Sequence, residues 1–211
     1  MPIRRQVNAD LAGHPDRLRW NARYAAGDAG YFAPHPLAVR ALALELPPGP
    51  VLELACGPSG SALLAAETGR AVTAVDVSEV GLGLLDAEAR QRGLGERITL
   101  VQADLTTWYP PGGRYALVLC TGYWDLAVFA TGAAAVSPGG LLAWEAFTAA
   151  ARRARPTLRA QWCLGPGEPG ALLPADFAVL SQEDIDSARG ARRRLLAREL
   201  SHQAASLPPA E

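Results

Sequence analysis

The sequence predicts an α/β fold: a doubly wound, Rossmann-like, mostly parallel sheet with helices on both faces and an antiparallel strand near its C-terminal end. Three observations predict it. Strand-length apolar runs alternate with helix-length segments from residue 51 to residue 147. The runs are apolar without interruption, as in strands covered by helices on both sides. A glycine-bearing turn, Ala55-Cys-Gly-Pro-Ser-Gly60, follows the first run and opens a helix.

The elements follow in order. Residues 11–26 place Leu18, Trp20 and Tyr24 among arginines, which predicts an amphipathic helix. A turn-rich connector over 27–36 carries Tyr31, Phe32 and His35, the last between Pro34 and Pro36. A second helix over 37–46 stops at Pro47-Pro48-Gly49. Strand 51–55, helix 61–68 ended by Gly69, strand 71–76, helix 80–92 closed by Gly93 and strand 98–102 come next. Strands 115–120 and 141–147 complete the alternation, the second after Ser137-Pro-Gly-Gly140. Further on, 158–163 and 177–180 are expected to be hairpin strands around a Gly/Pro-rich turn, and 189–202 suits either a strand or a helix. There is no internal repeat.

Composition narrows the function. The chain has 211 residues, 49% of them apolar, enough for one domain with a sizeable core. Its net charge of -1 gives no reason to expect a nucleic-acid partner, and the run Arg192-Arg193-Arg194 reads as a solvated face. All 20 basic residues are Arg, which excludes a lysine Schiff base or a P-loop lysine. Cys56, Cys120 and Cys163 are too scattered for a disulfide framework or a zinc site. No apolar leader and no membrane-length apolar run are found, so a soluble, cytoplasmic protein is expected.

The chemistry-bearing residues cluster at the expected strand tips. Glu53 ends an apolar run just before the turn, where an unpaired buried carboxylate would be costly. Gly57 and Gly60 flank Pro58-Ser59 and allow close backbone approach. Asp76 ends the second strand and Asp104 follows the third. Each acid alone suits a helix N-cap. Three acids at three successive tips suit a nucleoside-bearing ligand, because ligands of open α/β sheets bind at the carboxyl ends of the strands.

These residues carry a resemblance. Glu53-Leu-Ala-Cys-Gly, Val75-Asp76-Val-Ser, Ala103-Asp104-Leu, Leu117-Val-Leu-Cys120 and Ser137-Pro-Gly-Gly140 resemble the class I S-adenosylmethionine-dependent methyltransferases over about residues 50–147. Trp20-Asn-Ala-Arg-Tyr24 with Pro34-His-Pro36 is similar to the tellurite-resistance and thiopurine-type small-molecule methyltransferases. The resemblance implies one domain over 1–203: an N-terminal helical cap (1–46), a cofactor-binding core (50–147) and an acceptor-side segment (148–203), with a flexible tail over 204–211. It implies S-adenosyl-L-methionine as cofactor and a small-molecule methyl acceptor, with no membrane or nucleic-acid partner, in a monomer or homodimer.

Roles are implied residue by residue. Glu53 would hold the methionine amine, directly or through water, and Ala55, Cys56 and Gly57 would lie along the methionine and ribose. Asp76 would take the ribose hydroxyls, Val77 the adenine face, Asp104 the adenine amine and Leu105 the ring edge. Cys120 and Thr121 would line the methionine side, and Trp20, Tyr24, Tyr31 and Phe32 would form a lid. Three positions depart from the family pattern: Ala55 and Ser59 stand where glycines are expected, and Ala116 where an acid is common.

For the acceptor, Thr121, Tyr123 and Trp124 are the candidates, the two aromatics either stacking on it or packing a helix onto the sheet. Tyr31, His35, Tyr123 and Asp125 are candidate bases, although His35 equally suits a rigid loop. Trp20 is read as either lid or core, and Trp162 is expected in the core. Two other readings stay open: a nicotinamide-dependent oxidoreductase, which lacks its G-x-G-x-x-G here, and a non-catalytic S-adenosylmethionine-binding protein.

Overall fold

A computed structural model of the chain describes residues 4–5, 11–27, 32–186 and 190–200. The expected tail over 204–211 lies outside the described residues.

In chain order, β1 (Arg4–Arg5) precedes α1 (Pro15–Ala25) and α2 (Pro36–Leu42). Both helices start on a His-Pro pair. His14 and His35 are the N-caps, accepting through Nδ1 from Arg17 N (3.4 Å) and Leu37 N (3.2 Å), and a proline follows each where a missing N–H costs nothing. This shortens α1 relative to the expected 11–26, since Leu11 to His14 closes a turn instead.

The alternation then proceeds through β2 (Val51–Leu54), α3 (Gly60–Glu67), β3 (Val72–Asp76), α4 (Glu79–Gln91), β4 (Ile98–Gln102), β5 (Tyr115–Thr121), α5 (Leu126–Ala134) and β6 (Val136–Thr148). Short β7 (Cys163–Leu164) and the pair β8 (Phe177–Ile185) and β9 (Arg192–Glu199) complete the described elements. The sheet runs β1-β4-β3-β2-β5-β6-β9-β8, with β7 attached to β6. Pairings from β1 to β6 are parallel, and β9 is antiparallel to both β6 and β8.

The expected hairpin between 158–163 and 177–180 does not form. Residues Ala160–Trp162 make a 3-10 turn, and Cys163–Leu164 pair in parallel with Phe147 and Thr148 instead. The hairpin partner of β8 is β9. Its apolar centre, Leu195-Leu196-Ala197, is fully buried beside β6, and this selects strand over helix for the arginine-rich segment.

Successive strand residues feed opposite faces of the sheet. Leu52, Val118, Leu142 and Trp144 join one apolar cluster, while Val51, Leu117, Leu119 and Leu141 join the other. Each such leucine contributes roughly 1.5–3 kcal/mol by leaving water. The chain winds outward from β2 through β3 to β4, then returns to place β5 on the other side of β2. That reversal separates the following loops and opens a crevice at the carboxyl ends of β2 and β5. No described helix is long and apolar enough to cross a membrane.

Candidate functional site

The crevice is a cavity of about 690 Å³ at the carboxyl ends of the central strands. Its floor is the turn between β2 and α3. Ala55 and Gly57 adopt φ values of 50° and 52°, the left-handed region that suits glycine, so Ala55 is a strained replacement for one. Glycine is favoured at 57 for a second reason: a Cβ there would come 2.5 Å from the Tyr24 hydroxyl, so Tyr24 would have to shift. Ser59 departs from the glycine pattern because it caps α3, accepting from Ser61 N and Ala62 N at 3.0 Å.

Asp76 ties this turn to the next. Its Oδ2 accepts from Gly57 N and its Oδ1 from Ser78 N, each at 2.8 Å. The group is 6% exposed and lines the cavity. Burial pushes its carboxyl up to about 6, against the backbone N–H bonds that favour the charged form. Beside it stand Val77, Ala103 and Leu105, an apolar wall. A buried carboxylate next to an aliphatic wall fits a nucleoside, whose hydroxyls need an acceptor and whose base needs a dry surface.

Asp104 also lines the cavity. Its Oδ1 accepts from Thr106 N (2.9 Å) and Thr106 Oγ1 (2.8 Å), and its Oδ2 lies 3.5 Å from His14 Nε2. Over these tips lies α1, held by an Arg17–Glu79 ion pair and by Ser78 Oγ donating to Asn21 Oδ1 at 2.6 Å. It presents Trp20 and Tyr24, stacked at 5.5 Å, to the cavity. Burial pushes the Tyr24 hydroxyl well above its ordinary value, and Asp76 adds to the effect.

Of the expected site residues, Trp20, Tyr24, Ala55, Cys56, Asp76, Val77, Asp104, Leu105, Thr121, Tyr123 and Trp124 meet in this cavity. Glu53 does not line it. It lies 3% exposed beneath the turn, with the Ser59 hydroxyl 2.8 and 2.7 Å from its two oxygens. Burial pushes it up to about 8; the Ser59 bond opposes this and Asp76 reinforces it. Cys120 is buried in the sheet core, and Phe32 packs beside α3 on the opposite face. His35 sits outside the cavity, its Nε2 3.3 Å from Glu145 Oε2, because its other nitrogen caps α2. Asp125 is the N-cap of α5, accepting from Ala127 N and Val128 N at 2.9 and 3.0 Å. Tyr31 lies outside the described residues.

Trp162 is not in the core. The 3-10 turn presents it to the cavity, with the guanidiniums of Arg159 and Arg19 5.0 and 5.2 Å from its ring centre. Residues that sequence reasoning missed include His14, Arg19, Phe147, Arg155 and Arg192. Phe147 could have been found, since it stands at the carboxyl end of an expected strand. Arg155 and Arg192 lie in segments without a legible period, and Arg19 lies on a helix whose polar face reads as solvated.

Tyr123 and Trp124 are fixed from below. Trp144 Nε1 donates to Tyr123 O at 3.0 Å, and the Trp124, Phe129 and Trp144 rings pack with centres 5.1–6.4 Å apart. The Tyr123 hydroxyl is pushed well above its ordinary value by burial and by Asp125. Cys56 is likewise raised by burial, so its thiol stays protonated at neutral pH.

Residues 51–140 match the family model described as "Methyltransferase domain". No curated protein matches the sequence. Among solved structures, the fold is similar to TehB from Haemophilus influenzae at a TM-score of 0.66 and 17% identity, over 84% of this chain and 66% of that one. It is similar to the N-methyltransferase NodS from Bradyrhizobium japonicum, a complex with S-adenosyl-L-homocysteine, at 0.66 and 13%, over 87% and 97%. The CcbJ methyltransferase from Streptomyces caelestis matches at 0.65 and 17%, over 92% and 100%.

Proposed function

We propose that the chain is a class I S-adenosylmethionine-dependent methyltransferase that methylates an S, N or O atom of a small molecule by in-line displacement, a reading supported by the match of residues 51–140 to the methyltransferase-domain model. The single observation that carries this reading is the continuity of one cavity. It runs from Asp76 and Asp104, at the tips of β3 and β4, to Thr121, Tyr123 and Phe147, at the tips of β5 and β6.

S-adenosylmethionine supplies a methyl group already activated by the sulfonium. The protein's part is to hold, orient and exclude water. Asp76, when ionised, accepts from both ribose hydroxyls. Val77 and Leu105 pack against the adenine and Asp104 accepts from its amine. Ala55 and Cys56 line the methionine arm. Glu53 acts on that arm only through the turn, by way of Ser59. Trp20 and Tyr24 close the cavity from above.

The side chains lining the reacting end are poor bases. Tyr123 and Cys56 hold their protons at neutral pH. His14 stands at the adenine end, with both ring nitrogens engaged, Nδ1 accepting from Arg17 N and Nε2 facing Asp104. The site therefore suits an acceptor that is nucleophilic on its own, a thiolate or a neutral amine, ahead of an alcohol.

Incubation with methyl-labelled S-adenosylmethionine and a panel of thiols, amines and phenols tests the reading. Label transfer to thiols or amines is expected. Tight cofactor binding with no transfer to any acceptor class would replace it with the non-catalytic reading.

A further inference from the structure

The acceptor end of the cavity is built from arginine and aromatic rings. Phe147 is the penultimate residue of β6, and Arg192 opens β9 directly opposite it in the antiparallel register. The guanidiniums of Arg192 and Arg155 stand 4.3 and 4.9 Å from the Phe147 ring centre, so two cations converge on one ring. All three side chains line the cavity.

The position of Arg192 is set by Glu145. That carboxylate is buried, and it accepts from Arg192 Nη1 at 2.7 Å and from Arg194 Nε at 2.5 Å. One negative charge faces two guanidiniums, which leaves a positive charge over in that group. Glu145 uses one of Arg192's five N–H donors. The Arg192 Nη1 also lies 3.9 Å from where a Cβ on Gly122 would stand, immediately beyond the tip of β5. The guanidinium is thus held beside the strand tip where Thr121 and Tyr123 enter the cavity.

The sheet order separates this charge from the acids. Asp104 and Asp76 lie at the tips of β4 and β3, while Phe147 and Arg192 lie at β6 and β9. Neighbouring strands are about 4.8 Å apart, so three strand spacings, about 14 Å, divide β3 from β6. An anion at the far end does not meet Asp76. The Phe147 and Trp162 rings there are each overlain by two guanidiniums, whose planes can stack on a flat group and whose forks match a carboxylate in two parallel hydrogen bonds.

Resting on the methyltransferase reading, we propose that the methyl acceptor is a planar, carboxylate-bearing small molecule, its carboxylate held by Arg192 and Arg155 at the Phe147 wall. Calorimetry on protein saturated with S-adenosyl-L-homocysteine tests it. The probes are para-aminobenzoate, para-mercaptobenzoate and para-hydroxybenzoate, each against its uncharged amide. The carboxylates are expected to bind at least ten-fold tighter than the amides. The gap should shrink below three-fold in Arg155→Gln and in Arg192→Gln, recover partly in Arg155→Lys and persist in Arg153→Gln, at an exposed position off the cavity. Should Arg192→Gln not fold, Arg155→Gln decides. Equal binding of acid and amide, binding of neither, or a gap that survives both substitutions would overturn the proposal. Failure of the wild type to bind S-adenosyl-L-homocysteine is a separate result, and it would overturn the functional reading beneath.

Discussion

The carboxylate of Asp76 accepts from the backbone N–H of Gly57 at 2.8 Å, and so the residue that faces the cavity also fixes the turn that floors it. Its other oxygen holds Ser78 N at the same distance. Asp76→Asn turns an amide NH₂ toward one of these two donors. A loss of roughly 1–3 kcal/mol in stability is expected, measured by urea denaturation.

The buried acids give stability an unusual pH profile. Glu53 is raised from 4.5 to about 8 and Asp76 from 3.8 to about 6, so the folded state binds protons that the unfolded chain has released. Their contribution is complete below the unfolded values and is lost as pH rises toward 6 for Asp76 and toward 8 for Glu53. Glu145 runs the other way. Burial raises it, but hydrogen bonds from His35, Arg194 and Arg192 outweigh burial and hold it at about 2, against an ordinary 4.5. Its contribution is present above 4.5 and is lost as pH falls through about 2. Urea midpoints should therefore peak in mildly acidic buffer, and Glu53→Gln should flatten the decline between pH 4.5 and 8. A profile that climbs steadily to pH 8 would contradict this assignment.

Gly57→Ala combines a left-handed φ of 52° with a Cβ that meets the Tyr24 hydroxyl at 2.5 Å. The backbone alone costs roughly 1–2 kcal/mol. Adding Tyr24→Phe should recover part of the remaining loss, read as a thermal-midpoint difference between the single and double variants. Ala55→Gly should stay within about 1 kcal/mol of wild type, because relief of the φ of 50° is offset by greater freedom of the unfolded chain.

Glu145→Ala leaves Arg192 and Arg194 without their shared carboxylate. Breaking a buried pair from one side costs roughly 3–5 kcal/mol. Chemical denaturation measures it, and a change under 1 kcal/mol would show that the cluster is solvated.

The central sheet was legible because its signals are local. Apolar runs of strand length, the Gly57 turn and the acids Asp76 and Asp104 each mark a place that topology then gathers at one edge. The C-terminal pairing was not legible, since whether Cys163–Leu164 pairs with β8 or with β6 depends on long-range register. Trp162 misled for a related reason: an aromatic reads as core until the turn that points it outward is known. Its place at the end of an apolar strand and the family resemblance put Glu53 on the cavity wall, whereas the Ser59 hydroxyl holds it one layer below. The arginines of the acceptor end carry no period, and only the register of Arg192 against Phe147 brings them to the site.

The most direct test is titration calorimetry of S-adenosylmethionine and S-adenosyl-L-homocysteine against wild type and Asp76→Ala. One equivalent of each should bind the wild type, and the variant should bind about a hundred-fold more weakly, about 2.7 kcal/mol. Absence of binding to the wild type, or unchanged affinity in a folded Asp76→Ala, would contradict the account.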